Sequence, residues 1–400
     1  MPKVFVTGIG IICAIGHDSI SVSRSLAEQR TGIGRLSFID TIYKDEIPVG
    51  EIKLTNEELH DMAFQINKKR LTRTALVGLI AARQALSQSG LDADTIKNTA
   101  LISGTTVGGM DRTENFYKSY LNDHSKGRIR EAAGHDCGDS TEIIAVATGI
   151  GGFLSTINTA CSSSANAIMM GARMITQGKA DCVVAGGIDS LTRFTLNGFN
   201  SLMILDRAQC KPFDDNRNGL NLGEGSAFLV LESEEAVNKK NKTALAEVKG
   251  WGNACDAYHQ TASSPDGNGA LLSMQKALAS AGFSFADIDY INTHGTGTKN
   301  NDLSEGIAIQ RLFGQHIPPC SSTKSYTGHT LGAAGAIEAV ISILSLQHQC
   351  IYPNLNFSDK MQELDFLPVK NFRNQVSLRN IMSNSFGFGG NNSSLIFSRC

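Results

Sequence analysis

Residues 157–178 read INTACSSSANAIMMGARMITQG, and how this stretch folds decides the architecture of the whole chain. Ile157 leads into a turn of small residues, and the turn leads into a helix that Gly178 can cap at its C-terminal end. Asp181-Cys182-Val183-Val184-Ala185 then reads as a short apolar strand. Strand, turn, helix and strand in this order are the repeating unit of an α/β protein.

The same alternation extends in both directions. Val4-Phe5-Val6 opens a strand, and Leu71 to Ser89 carries apolar residues at helical spacing and stops at Gly90. Ala100 to Ser103 is a strand that ends in the glycine-rich loop GTTVGG. Near Ala244 the pattern begins again. Ala246 to Gly252 reads as strand, Gly269 to Gly282 encloses a helix, and Asp289 to Asn292 is a strand before HGTGT. Leu331 to Gln347 reads as helix, and Ile381 to Phe397 as a strand, a glycine loop and a final strand. Two similar halves, 1–243 and 244–400, fit this order better than independent domains.

The bulk numbers agree with one large soluble-type core. The chain has 400 residues, 41% hydrophobic and 18% charged, with a formal charge of −2. That balance implies no global attraction to nucleic acid or to an anionic membrane. Forty Gly against eight Pro points to tight turns and close backbone approaches. Nine scattered Cys, odd in number and without a CxxC pair, suit a reducing, cytoplasmic location. No run of 18 apolar residues predicts a membrane span.

Familiar reaction signatures are missing: there is no GxxxxGK[ST], HExxH or GxSxG. The opening GIGIIC only half matches a dinucleotide fingerprint and reads as a structural glycine turn. Cys161 is the first residue with chemical promise. At a helix start the positive end of the macrodipole favours a thiolate, and free backbone N–H groups can bind an oxyanion. Alone, such a cysteine reads equally well as structural. His294, in HGTGT, and His329, in Lys324-Ser-Tyr-Thr-Gly-His329-Thr-Leu-Gly, add to it. Both stand at strand or helix ends among Gly and Thr, where side chains converge on clefts, and SFGFGG supplies a further glycine loop.

INTACSSS, THGTGT, KSYTGHTLGAAG and SNSFGFGG, in this order, resemble the elongating (type II) β-ketoacyl-acyl carrier protein synthases of the thiolase-like superfamily. The resemblance spans essentially the whole chain. It implies a five-layered αβαβα fold of two similar halves, usually a homodimer, and a decarboxylative Claisen condensation. Carried over by motif, Cys161 is the nucleophile that holds the acyl chain. His294 and His329 stabilise the enolate, and Lys324 orients the site electrostatically with Glu338. Asp302 belongs to the hydrogen-bonded surround of the His294 loop. Backbone N–H groups of Cys161 and Phe388 form the oxyanion hole, and Phe388 also gates the acyl pocket. Thr296 and Thr298 bind the pantetheine arm, and Val107 lines the far end of the acyl pocket. The mechanism requires no metal and no diffusible cofactor.

An acidic acyl carrier protein as partner requires a basic patch at the mouth. Lys68, Lys69, Arg70, Arg73, Arg128, Arg130 and Arg207 are the candidates, with Lys69, Arg70 and Arg207 matching the family's docking positions best. The chain departs from the fatty-acid pattern at TACSSS, where TACAT is common, at Asn216-Arg217-Asn218-Gly219-Leu220 and at GFGGNN. These departures point toward polyketide or polyene assembly as an alternative to fatty-acid synthesis. Two rivals follow: the active subunit of a heterodimer with a chain-length-factor-like partner, and a thiolase, against which stands the absence of a thiol in SFGFGG.

Overall fold

The computed structural model describes residues 2–63 and 71–400. Ten strands carry its architecture. They are β1 (Val4–Cys13), β2 (Ala100–Gly104), β3 (Leu154–Ile157), β4 (Cys182–Asp189), β5 (Gly225–Ser233), β6 (Ala246–Cys255), β7 (Tyr290–Asn292), β8 (Cys320–Ser321), β9 (Asn380–Phe386) and β10 (Asn391–Ser398). Their spatial order is β8-β7-β9-β10-β6 followed by β1-β5-β4-β2-β3. Numbered from its own first strand, each set therefore has the same order. Within each set the second strand runs parallel to its two neighbours. The fifth runs antiparallel to its own. The sets meet only where Phe5 and Val6 pair with Glu247 and Ala246.

Six principal helices build the layers: α1 (Arg73–Ser89), α2 (Cys137–Thr148), α3 (Ser163–Thr176), α4 (Asn268–Ala281), α5 (Lys299–Phe313) and α6 (Ala334–His348). On the outer face of the first sheet, Leu76, Ile80 and Ile144 of α1 and α2 pack with Val184 and Phe228. On the outer face of the second, Met274, Leu278 and Ile309 of α4 and α5 pack with Met382 and Ile396. Between the sheets lie α3 and α6, in one core with Val183, Leu229, Ile381 and Leu395. The result is the expected αβαβα stack. From Ala334 to Leu346 every residue of α6 is buried, and apart from Glu338 and two serines that stretch carries no polar side chain, as a buried helix requires. The 18-residue run Leu331–His348 is long and apolar enough to cross a membrane, yet 89% of it is buried inside this fold.

Local signals explain most boundaries. Thr72 caps α1 by accepting from the Ala75 N–H, and Gly90 ends it at φ +61°. The glycines of GIGIIC do not form a turn, contrary to the sequence reading. They lie inside β1, where a Cβ on Gly8 or Gly10 would stand 2.2 Å from the Ala85 carbonyl or 1.9 Å from that of Ala81. Their absent side chains let α1 pack directly on the strand.

Candidate active site

Cys161 sits in the turn between β3 and α3, two residues before the helix begins. The turn is strained: Ala160 has φ +52°, a region that non-glycine residues seldom occupy. The serines that follow Cys161 hold the turn. Ser163 Oγ accepts from the Thr159 N–H at 2.9 Å and donates to the Ala160 carbonyl at 2.6 Å. Ser162 Oγ lies 2.8 Å from both the Thr159 carbonyl and Asn391 Oδ1. Ser164 Oγ accepts from the Ala336 N–H at 2.9 Å and so ties α3 to α6. Each serine of the SSS triplet thus has a structural partner.

Both histidines reach Cys161 from the second half. His329 Nε2 is 3.1 Å from Cys161 Sγ, and the His294 ring meets the His329 ring edge-on with centroids 5.3 Å apart. His294 follows β7 in a loop pinned by two carboxylates of α5. Glu305 accepts from the N–H groups of His294 and Gly295 at 2.9 and 2.8 Å. Asp302 accepts from Thr296, Gly297 and Phe213, the last at 2.7 Å. Lys324 Nζ donates to the His294 carbonyl at 2.6 Å, lies 3.2 Å from His294 Nδ1 and pairs with Glu338. An ammonium only donates, so His294 Nδ1 is the acceptor and Nε2 carries the proton. His329 Nδ1 is buried without a partner among the described residues. A bare lone pair is the cheaper group to leave there, so His329 also carries its proton on Nε2.

Burial governs the electrostatics. It pushes the Cys161 thiol up to about 11, against Lys324 and the backbone hydrogen bonds of Phe388 and Cys161, which pull it down. The helix-dipole argument therefore does not leave a resting thiolate: desolvation outweighs it. Burial, Lys324 and the neighbouring His329 hold His294 well below the usual histidine range. Burial and Lys324 do the same for His329. Both rings are neutral donors near pH 7. Desolvation likewise raises Glu305 and Glu338 to about 7, the latter against Lys324.

A cavity of about 440 Å³ opens onto these groups, lined by Cys161, His294, His329, Thr296, Thr298 and Phe388 among others. Phe388 stacks on Phe199 with centroids 5.7 Å apart. Asn218, Gly219 and Leu220 also line it, so the segment that departs from the fatty-acid pattern faces the site. Val107 is not on this lining among the described residues. It is buried behind it in an apolar cluster with Leu196, Leu220 and Leu331.

The basic candidates scatter. Arg73 is buried in a two-pronged pair with Glu224, at 2.9 and 2.7 Å, and is structural. Arg207 is exposed, paired with Glu46 at 2.9 Å and set over the Tyr43 ring. Arg128 and Arg130 lie exposed, the first just before and the second within a short 3-10 segment. Lys68, Lys69 and Arg70 lie outside the described residues.

Sequence reasoning missed two carboxylates. Glu305 could have been found, since it stands one helical turn from Asp302 and shares its face. Asp189, the buried end of β4, accepts from Thr105 Oγ1 at 2.6 Å and from the N–H groups of Thr106, Val107 and Gly332. It joins the GTTVGG loop to the segment after His329.

Residues 1–236 match the family model described as "Beta-ketoacyl synthase, N-terminal domain", and residues 245–358 match its C-terminal counterpart. The chain is 34% identical to "Nodulation protein E" of Rhizobium meliloti strain 1021, across 99% of this chain and 98% of that one. It is 33% identical, at the same coverage, to "3-oxoacyl-[acyl-carrier-protein] synthase 2" of Staphylococcus aureus strain COL. Among solved structures it superposes on "The ishigamide ketosynthase/chain length factor" with a TM-score of 0.94 and 30% identity, covering 100% and 99% of the two chains.

Proposed function

This chain belongs to the β-ketoacyl synthase family, and from that premise we propose how its residues divide the work of a decarboxylative condensation in fatty-acid or polyketide elongation. The observation that carries the proposal is the 3.1 Å approach of His329 Nε2 to Cys161 Sγ, with His294 beside it in one cavity. In the first half-reaction the Cys161 sulfur attacks the thioester carbonyl of an acyl chain carried on phosphopantetheine. The backbone N–H groups of Cys161 and Phe388 receive the oxyanion. The carrier's thiol departs with the proton that Cys161 gives up, and Cys161 keeps the acyl group.

In the second half-reaction a malonyl thioester enters along Thr296 and Thr298. Its carboxylate leaves as CO₂, and the Nε2–H groups of His294 and His329 hold the enolate oxygen. Both rings are neutral, so they stabilise the enolate without trapping it against a fixed charge. The enolate carbon attacks the Cys161 thioester, and the sulfur leaves and takes a proton from water. Lys324, balanced by Glu338, fixes the His294 tautomer and draws charge toward the site. Asp302 holds the loop that carries Thr296. Val107 shapes the far end of the acyl space from behind the cavity wall. Arg207, with Lys69 and Arg70, receives the acyl carrier protein. The chemistry calls for no metal or diffusible cofactor. All nine cysteines are free, which suits the cytoplasmic, reducing location proposed here.

Incubation with acyl-carrier proteins of graded length, followed by malonyl-carrier protein, tests this reading. Mass spectrometry should find the acyl mass on Cys161 and then a β-ketoacyl carrier product. A Cys161 that never gains that mass overturns the mechanism.

A second reading is that this chain is the active subunit of a heterodimer. The likeness to a ketosynthase/chain-length-factor structure favours it, and apolar residues stand exposed at the outer edge of β3. There Phe153 and Leu154 are 51% and 39% exposed beside Val146 at 85%. A homodimer would cover the same edge, and the mass of the chain purified alone separates the two.

A further inference from the structure

We infer that Asn166 is a positioning residue for the condensing reaction: its amide clamps the turn that carries Cys161 to the loop that carries Phe388, and so sets their two backbone N–H groups in register. Asn166 lies in the first turn of α3. Asparagine is a poor helix former, because its side chain competes for nearby backbone groups. Here the amide is wholly engaged elsewhere. Nδ2 donates to Thr159 Oγ1 in the turn at 2.8 Å, and to Asn391 Oδ1 at the far end of the loop at 2.9 Å. Oδ1 accepts from Ser393 Oγ at 2.8 Å and from Asn253 Nδ2 at 3.1 Å. Two donors and two lone pairs are the full capacity of a side-chain amide, and all four are used.

The clamp joins elements that are remote in the chain. Thr159 and Asn166 follow β3, whereas Asn253 lies in β6 and Asn391 and Ser393 open β10. Asn253 Nδ2 also lies 2.8 Å from Asn391 Oδ1 and 2.9 Å from Ser393 Oγ, which braces the far side. Asn391 closes the Phe388 loop, its carbonyl accepting from the Gly387 N–H at 2.9 Å. Turn and loop meet backbone to backbone. A Cβ on Gly387 would stand 3.0 Å from the Thr159 carbonyl and 3.2 Å from the Cys161 nitrogen. Across that contact the Phe388 N–H reaches the Cys161 sulfur. An oxyanion on the acyl carbon needs the N–H groups of Cys161 and Phe388 at once, and such donors count most when they are fixed before the charge develops. Asn166 is not on the cavity lining among the described residues, so it acts through Thr159 and Asn391.

This role rests on the function proposed above, and the experiment keeps the two apart. Single-turnover acylation of Cys161 by an acyl-carrier protein is followed by mass spectrometry, beside alkylation of the same thiol by iodoacetamide. Displacing a reacting geometry by about 1 Å can cost ~10²-fold, so Asn166→Ala should slow acylation at least about 10-fold at saturating carrier protein. The concentration that gives half the maximal rate should stay unchanged, because the lost interaction touches no substrate. Alkylation uses the sulfur but no oxyanion donor and should fall far less. Asn391→Ala opens the clamp from the loop side and should give the same split, which serves if Asn166→Ala fails to fold. The double variant should be no slower than the slower single one, since both open one clamp. Alkylation that falls as far as acylation, or a loss confined to the half-maximal concentration, overturns the role. A wild-type protein that never gains the acyl mass sinks the proposed function and this role with it. A wild-type protein that gains it, beside variants that gain it as fast, sinks the role alone.

Discussion

Exchange of His329 for alanine removes the donor 3.1 Å from the Cys161 sulfur and leaves the Phe388 and Cys161 N–H groups in place. Turnover should fall ~10²–10³-fold, the usual cost of one oxyanion donor, while Cys161 still acquires an acyl group. Separate assays of acylation and condensation check this; equal loss in both would mean that His329 serves acylation instead. The raised Cys161 thiol gives a second test. An ordinary thiol has a pKa of about 8.5, and its alkylation rate levels off above that value. With the thiol at about 11, the rate of iodoacetamide modification at Cys161 should keep climbing through pH 10. Lys324→Ala removes a cation that favours the thiolate, so it should move the rise to still higher pH. A plateau near pH 9 in the wild type would contradict the desolvation argument.

Cys161, His294, His329 and Lys324 were legible because each lies in a short local motif, and Asp302, which stands on α5, only through the resemblance. Asp189 was not, because its meaning lies in partners 83 and 143 residues away, Thr106 and Gly332. Its substitution shows how much depends on that unread residue. Asp189→Asn puts an amide N–H₂ against backbone N–H groups that need an acceptor. Each buried donor left unpaired costs about 1–3 kcal/mol, measurable as a lower urea midpoint with an unchanged slope. The acyl-length preference should shift as well, because the Val107 loop loses an anchor. Arg73 erred the other way: a basic residue in a basic run looked like a docking contact, and only the fold reveals Glu224 beneath it.

Among elements, the apolar strands and buried helices were readable because burial imposes a periodic pattern. The helix over Met110–Asn122 carries an apolar face but fully buries none of its residues, and the sequence reading passed it over. Glycines show where elements meet. A Cβ on Gly104, at the end of β2, would lie 2.5 Å from the backbone of Ser163 and Ser164. Gly104→Ala must therefore push the start of α3, and Cys161 with it, away from His329. Overpacking of this kind costs about 1–3 kcal/mol, and Cys161 acylation should slow more than the stability loss alone explains. Gly178 lies just past the other end of the same helix, at φ +63° with open space around it. Gly178→Ala should cost about 1–2 kcal/mol through its backbone conformation and leave the acylation rate unchanged. Comparing the two by thermal melts and by acylation rate distinguishes a cap from a contact that positions Cys161.

At the scale of the molecule, Cys161 follows a strand of the first set and both histidines follow strands of the second, so the cavity is built where the two sets' elements meet. The middle layer enforces that meeting. Ile168 and Ala172 of α3 share one core with Ile337 and Ile341 of α6, and that core draws on both sheets. The inner faces of both sheets are buried in that one shared layer, and an exposed apolar face of that size does not stay folded alone in water. Residues 238–241, just before the proposed division, are exposed, so a break near Thr243 severs the chain without opening the core. Residues 1–243 and 244–400 expressed separately should each lack cooperative unfolding. Produced together, they should assemble into a complex that melts in a single transition and is acylated at Cys161. If the first half alone gives a sharp melt, the shared middle layer is not what holds the molecule together, and the two repeats are independent domains after all.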